Sequence, residues 1–118
     1  MGINMDTQYR KTIGNAWELL VQNVYEQKWY HCKDKNFTIR GGELDLVMED
    51  DNTLVVVEVK VVNYMDNLHN YITPKKLMTL QKSIQTYLWK YPTKKSVRLD
   101  IIFVKGNEIV QCYENVEI

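Results

Sequence analysis

Apolar and polar positions recur along the chain with two different periods, which predict two helices and five strands. A helical spacing of apolar side chains predicts a first helix over residues 8–29 and a second from Thr73 to about Lys90. Thr73 is expected to cap the second helix, with Pro74 in its first turn. Shorter apolar runs bounded by turn residues predict strands at 36–41, 43–49, 53–62, 97–104 and 108–114. The order αβββαββ predicts an α/β fold with a mixed sheet and flanking helices, and a loop is expected over 63–72.

Two of the predicted strands carry ionisable residues inside otherwise apolar runs. Asp45 lies between Leu44 and Leu46 in one strand, and Glu58 and Lys60 interrupt a valine-rich run in the next. Such side chains are rarely buried in a sheet without a partner, because burying an unpaired charge is costly. Their positions therefore indicate pairing or binding.

A tight turn at Asp51-Asn52 would join these two strands into a hairpin and decide which residues lie opposite one another. Opposed residue numbers then sum to 103, so Asp45 and Glu58 face each other with Cβ atoms about 5 Å apart. Two carboxylates at that separation repel, so either one gains a proton or both bind a cation. Hard divalent cations, Mg²⁺ above all, prefer such oxygen ligands, and the carbonyl of Val59 is a candidate further ligand.

Lys60 projects from the same strand face as Glu58, where its ammonium group can bind a phosphate or hold the attacking water. A divalent ion at the two acids would polarise a phosphoryl oxygen, which favours phosphodiester hydrolysis. The alternative is an ordinary ion pair between Lys60 and an acid on a solvated sheet face. Glu43 shares the face of Asp45, and solvation at the end of the hairpin is its favoured interpretation.

The length and composition are those of a single soluble domain. At 118 residues, one domain over residues 1–118 with one core is expected. No apolar run reaches membrane-spanning length and no signal-peptide pattern is present, so a cytoplasmic protein without a membrane partner is expected. Cys32 and Cys112 lack the spacing of a zinc site and are expected to be reduced thiols.

The formal charge is zero, but the charges are unevenly distributed. Between Asn67 and Leu99 there are seven basic residues and no Asp or Glu, whereas acidic residues crowd the two charged strands. A basic segment facing an acidic cluster suits a polyanion held against a metal ion. The alternative is a solvated helix face rich in lysine.

Several blocks of the sequence together resemble the YraN-like family of small bacterial proteins. They are Gly14 and Glu18, GGELDLV (41–47), TLVVVEVK (53–60), TPKK (73–76) and RLD (98–100), spread over nearly the whole chain. This family belongs to the PD-(D/E)XK nuclease superfamily and is related in fold to archaeal Holliday-junction resolvases. The resemblance therefore implies a restriction-endonuclease-like fold and a deoxyribonuclease that uses Mg²⁺ or Mn²⁺.

The resemblance also implies roles for individual acids and for one lysine. Asp45 and Glu58 match the two motif acids that bind the metal ion, and Lys60 matches the motif lysine. Glu18 matches an acid of the first helix that approaches the site. The resemblance therefore implies a catalytic set of these four residues.

Three lysines of the second helix are candidate nucleic-acid contacts. Lys76 matches a family lysine that opens this helix and is expected to contact a phosphate. The helical spacing directs Lys75 and Lys82 away from the apolar face, toward solvent or more distant contacts with the DNA backbone. Asp100, in the RLD block, is expected either to hydrogen-bond to a site residue or to pair with Arg98.

The leading hypothesis is a Mg²⁺-dependent endonuclease that hydrolyses DNA phosphodiester bonds, with branched DNA as a candidate substrate and a homodimer as a candidate assembly. The alternative is a catalytically weak or inactive domain of the same fold that binds nucleic acid or a protein partner. Two departures from the family pattern favour the alternative. Val61-Val62 stand where the family usually has Thr-Arg, and the chain is neutral where members are commonly basic.

Overall fold

A computed structural model describes residues 5–63 and 68–117 of the chain. The elements are α1 (Met5–Gln27), β1 (His31–Ile39), β2 (Gly42–Glu49), β3 (Thr53–Val61), a 3₁₀ turn (Leu68–Tyr71), α2 (Pro74–Lys90), β4 (Ser96–Lys105) and β5 (Glu108–Tyr113). The predicted order αβββαββ is therefore confirmed.

The described strands form one sheet in the order β1-β2-β3-β4-β5. The pair β3–β4 is parallel and the other three pairs are antiparallel, so the sheet is mixed, as predicted. A parallel pair needs a crossover connection, and the segment containing α2 supplies it. β3 lies at the centre, and residues 54–57 are fully buried, which explains why its sequence is apolar on both faces.

Each helix covers one face of the sheet. Ile84 and Tyr87 of α2 pack in a core cluster with Val56 of β3, whereas Val21 and Tyr25 of α1 pack with the alternate residues of that strand. The result is a three-layer arrangement of helix, sheet and helix. The restriction-endonuclease-like architecture expected for this chain is thus the one observed.

The start of α2 has the predicted capping arrangement. The backbone N–H of Lys76 donates to the side-chain oxygen of Thr73 at 3.2 Å, and Pro74 is the first helical residue. Pro suits this position because its missing N–H would have no partner inside the helix.

Several predicted boundaries differ from the observed ones, and three of the differences have a clear cause. α1 ends at Gln27 rather than at residue 29, because Trp29 has a φ of 72°, outside the helical region. β1 begins at His31 rather than at residue 36, because it is an edge strand whose polar sequence gives no apolar signal. The predicted loop over 63–72 ends in the 3₁₀ turn, and residues 64–67 of that prediction lie outside the described part of the chain.

A buried polar network ties β4 to α1 and to the segment after β5. Asp100 is fully buried and accepts hydrogen bonds from two guanidinium nitrogens of Arg98, each at 2.9 Å. It also accepts from the hydroxyl of Tyr25 and, at 2.9 Å, from the backbone N–H of Asn115. Burial and the hydrogen bond to Asp100 raise the pKa of Tyr25, so its hydroxyl remains a donor at neutral pH. Of the two predicted roles for Asp100, the pairing with Arg98 is the one observed.

No helix in residues 5–63 or 68–117 is long and apolar enough to cross a membrane. Cys32 and Cys112 are both free thiols.

Candidate metal-dependent active site

The hairpin of β2 and β3 has the predicted register. Its ladder pairs Leu46 with Val57 and Val47 with Val56, so opposed residue numbers sum to 103. The ladder ends at the first of these pairs, and the next pair outward would be Asp45 and Glu58. The two carboxyl groups are close enough that Asp45 raises the pKa of Glu58. The two acids thus meet as the predicted register requires, whereas their role as metal ligands stays a prediction.

The alternation of side chains along β2 breaks at Asp45. Leu44 packs in the cluster under α2, whereas Leu46, two residues on, packs in the cluster under α1. In a regular strand both would lie on the same face. Opposite this point in β1, Asn36 has a φ of 51°, and the pairs on either side of it are regular. Such irregularities redirect side chains, and this one gives the Asp45 carboxylate its position between the strands.

The Asp45 carboxylate also binds the backbone of β3. Its Oδ2 accepts a hydrogen bond from the N–H of Val59 at 2.9 Å. Because the N–H and C=O of one strand residue point toward the same neighbouring strand, the carbonyl of Val59 is directed toward the same gap. This orientation agrees with the predicted role of Val59 as a backbone ligand, which stays a prediction.

Glu58 is the acid of the site whose pKa is raised most by its surroundings. Its side chain is 13% exposed, and its Oε1 lies 3.4 Å from Nζ of Lys60. Burial, the charge of Asp45 and the hydrogen bond to Asp45 together raise the pKa of Glu58 to about 8, although Lys60 opposes the shift. Without a cation, therefore, Glu58 is mostly protonated at neutral pH.

Two further acids lie beside Asp45. Carboxylate oxygens of Glu18, Glu43 and Asp45 all lie within 4.8 Å of one another. Burial, followed by the charges of Asp45 and Glu43, raises the pKa of Glu18, and a hydrogen bond from Asn36 opposes this. Oε2 of Glu18 is buried and has no hydrogen-bond partner within the described residues. The prediction that an acid of the first helix approaches the site is thus confirmed in its geometry.

Sequence reasoning did not assign Glu43 and Asn36 to this site. Glu43 is exposed, as expected for the end of a hairpin, yet its carboxylate joins the cluster. Its place in the GELD block was a usable signal. Asn36 offered only a weak one, since Asn tolerates positive φ better than most residues.

A cavity of about 490 Å³ adjoins Glu58 and Lys60, and the first turn of α2 forms part of its rim. Both Lys75 and Lys76 border it, and both are exposed, so their predicted contacts with phosphates stay predictions. Lys82 borders a separate and smaller cavity, and its predicted contact with DNA stays a prediction.

The donor set fits a hard divalent cation. Carboxylate oxygens and a backbone carbonyl are the ligands that Mg²⁺ and Mn²⁺ prefer. The raised pKa of Glu58 and the unpartnered Oε2 of Glu18 both indicate that the acids lack positive charge to balance them. Lys60 supplies only part of this positive charge, because the pKa of Glu58 stays raised in its presence.

Comparison with known proteins places the chain in a family. The profile of the "Uncharacterised protein family UPF0102" matches residues 17–104, which include Glu18, Asp45, Glu58 and Lys60. UPF0102 proteins with similar sequences include that of Nitrosomonas eutropha, 34% identical over 107 residues that cover 89% of this chain and 92% of the relative. That of Herminiimonas arsenicoxydans is 35% identical over 104 residues, covering 85% and 82%. That of Carboxydothermus hydrogenoformans is 29% identical over 113 residues, covering 91% and 96%. The chain therefore belongs to UPF0102, the YraN-like family of the PD-(D/E)XK nuclease superfamily.

Proposed function

We propose that this protein is an endonuclease that requires Mg²⁺ or Mn²⁺ and hydrolyses DNA phosphodiester bonds at Asp45, Glu58 and Lys60. The observation that carries the proposal is the pair of acids that the register of two adjacent strands brings together, with the ammonium group of Lys60 at 3.4 Å from Glu58. Two acids with a neighbouring lysine are what the hydrolysis of a phosphodiester needs, namely a cation site and a fixed positive charge.

In this proposal Asp45, Glu58 and the carbonyl of Val59 hold the cation. Glu18 and Glu43 are further carboxylates near Asp45 that can bind it directly or through water. When bound, the ion polarises a phosphoryl oxygen and stabilises the charge that develops on the phosphate.

Lysine side chains of the protein position the substrate and the attacking water. Lys60 donates to the attacking water or to a nonbridging phosphate oxygen, and so fixes the reacting groups in line. Lys76 and Lys75, at the rim of the adjoining cavity, neutralise phosphates beside the scissile one. Since Glu58 must lose its proton to bind the cation, cation binding and proton release are coupled.

The test is cleavage of labelled four-way junction, flap, single-stranded and duplex DNA with Mg²⁺, with Mn²⁺ and with EDTA. Wild type is expected to cut only with a divalent ion, and Asp45→Ala and Glu58→Ala are expected to lose cleavage. Asp51→Ala is the matched control, because Asp51 is an exposed acid in the turn that joins the same two strands. If all four proteins cut alike, or none cuts any substrate, the proposal fails.

A second candidate is a domain of the same fold that binds nucleic acid or a protein partner without cutting. The zero net charge and the Val61-Val62 pair after the EVK motif favour it, because they reduce the positive charge available for phosphates. Binding of Mn²⁺ and of DNA without cleavage in the same experiment would support this candidate.

If the substrate is a four-way junction, we propose that the endonuclease acts as a homodimer. Two strands of a junction must be cut, and a dimer provides the two active sites. Light scattering with and without junction DNA measures the assembly. A monomer in both conditions would exclude paired cutting of junctions while leaving single-strand cleavage possible.

A further inference from the structure

The cavity beside the candidate active site combines an apolar lining with a basic rim. Leu77 and Leu80 of α2 and Ile101 of β4 line it, together with Tyr71 and Ile72 from the segment before α2. Its volume of about 490 Å³ lies in the range of pockets that take small organic groups. A metal site alone does not require such an apolar space.

The charges at the rim indicate what the apolar space accepts. Lys60, Lys75 and Lys76 border the cavity, whereas the acids Glu43 and Glu58 place the candidate cation site at one end of it. A ligand that fills this arrangement has a flat or compact apolar group and an adjacent anion. A nucleotide has this combination, because its base is attached through a sugar to a phosphate.

We propose that this cavity holds one unpaired nucleobase of the DNA strand whose phosphate lies at Asp45 and Glu58. The position of the strand rests on the proposed function. Tyr71 and the leucine side chains supply apolar contacts to the base, and the rim lysines bind the phosphates on either side of its sugar.

The proposal defines a substrate class. A base stacked inside a duplex cannot enter a cavity beside the backbone, so the nucleotide must leave the stack. Leaving the stack costs least where the base is already unpaired. The preferred substrates therefore carry an unpaired nucleotide next to the scissile phosphate, as in a bulge, a flap or the crossover of a junction.

The test uses two oligonucleotide duplexes of the same sequence that contain 2-aminopurine, paired in one and bulged in the other. Binding is measured by fluorescence titration with Ca²⁺ in place of Mg²⁺. Wild type is expected to bind the bulged duplex about tenfold more tightly than the paired one, in line with the stacking contribution of one base. Equal affinity for the two duplexes would overturn the proposal.

Thr79 and Thr86 provide a matched pair of variants. Both are exposed on α2, and each donates its hydroxyl to the carbonyl four residues earlier, at 3.1 Å for Thr79 and 3.0 Å for Thr86. Thr79 borders the cavity, and Thr86 does not. Thr79→Trp is therefore expected to fill the cavity and abolish the preference for the bulge, whereas Thr86→Trp is expected to keep it. Equal effects of the two substitutions would contradict the proposal.

A second measurement uses only the wild type, so it does not depend on the folding of a variant. A 5-iodouracil at the bulged position is irradiated in the complex, and the attached peptide is mapped. The adduct is expected at Tyr71, and an adduct found only elsewhere would overturn the proposal. A bulge preference without cleavage in any divalent metal would retain the cavity proposal and reject the endonuclease. Metal-dependent cleavage with no preference for the bulge would retain the endonuclease and reject the cavity proposal.

Discussion

The carboxylate of Asp45 accepts a hydrogen bond from the backbone N–H of Val59, at 2.9 Å, just beyond the last ladder pair of β2 and β3. The acid thus satisfies a backbone donor of the neighbouring strand at the point where strand pairing has ended. Its position is fixed by the backbone, and it can serve a site that needs a charge at a defined place.

Asp45 should therefore contribute to stability as well as to cation binding. Asp45→Ala leaves the N–H of Val59 without its acceptor and should lower the free energy of unfolding by about 1–3 kcal/mol in metal-free buffer. Asp45→Asn keeps an acceptor oxygen and should cost less. Urea unfolding measures stability, and calorimetric titration with Mn²⁺ should show that both variants lose affinity. Equal stability of the two variants would mean that the hydrogen bond to Val59 contributes little.

Glu58 should make the metal-free protein less stable as the pH rises. Its pKa is about 8 in the folded protein against an ordinary 4.5, so between these values the unfolded chain ionises while the folded one stays protonated. Stability is thus greatest below about pH 4.5 as far as this group is concerned, and it falls as pH rises toward 8. Glu58→Gln should remove this dependence and raise the melting temperature at pH 8 more than at pH 5, as measured by thermal unfolding in EDTA.

Glu49 provides a control of opposite sign on the same hairpin. Burial acts to raise the pKa of Glu49, but the hydrogen bond and charge of Lys95, at 3.0 Å, lower it below its ordinary value. Ionised Glu49 therefore stabilises the fold at high pH, and this contribution is lost as pH falls through its lowered pKa. Glu49→Gln should lower the melting temperature at pH 8. If Glu58→Gln also lowers the melting temperature at pH 8, the assignment for Glu58 is wrong.

Cation binding should release a proton from Glu58. Binding requires the ionised acid, so affinity for Mn²⁺ should increase as pH rises toward 8 and then level off. Calorimetric titrations at pH 7 in two buffers with different heats of ionisation measure the release, which is expected to approach one proton per ion. Glu58→Gln should release none. A wild type whose Mn²⁺ affinity is the same at pH 6 and pH 8 would contradict this prediction.

Lys60 should affect cleavage far more than it affects cation binding. Its ammonium group lies 3.4 Å from Glu58 and its side chain is about one-third exposed, so it can reach both the acid and a phosphate. Lys60→Met should lower the cleavage rate by about 10²-fold or more, because a fixed positive charge is lost. It should also move Mn²⁺ binding to higher pH, because Lys60 lowers the pKa of Glu58. Lys60→Arg should retain the pH profile, and a Lys60→Met variant that cuts normally would remove the lysine from the mechanism.

Asp100 should be a stability residue rather than a site residue. Asp100 is fully buried, and Asp100→Ala removes the ion-pair partner of Arg98. Breaking a buried ion pair in this way should lower the free energy of unfolding by about 3–5 kcal/mol. Urea unfolding measures the loss, and Asp51→Ala, at an exposed position, should stay within about 0.5 kcal/mol of wild type. The Mn²⁺ affinity of folded Asp100→Ala should equal that of wild type. A selective loss of Mn²⁺ affinity would instead place Asp100 at the site.

The sequence by itself determined the features that depend on neighbours along the chain. The order of elements follows from hydrophobic periods, and the cap of α2 follows from Thr73 and Pro74. The register that pairs Leu46 with Val57 follows from a short turn and a two-residue period, because a slip of one residue would move every side chain to the other face. These local rules were sufficient to bring Asp45 opposite Glu58.

Only the tertiary structure decided the features that join distant parts of the chain. Packing of α1 brings Glu18 to Asp45, and pairing of the edge strand β1 brings Asn36 to Glu18. No local period specifies either approach. The apolar cavity likewise forms between α2 and the sheet. The raised pKa of Glu58 depends first on burial, which is a property of the packed layers and not of the residue's neighbours in sequence. The local sequence thus determines which reactive residues face each other. Their pKa values and the shape of the adjoining cavity depend on the packing of the helices against the sheet.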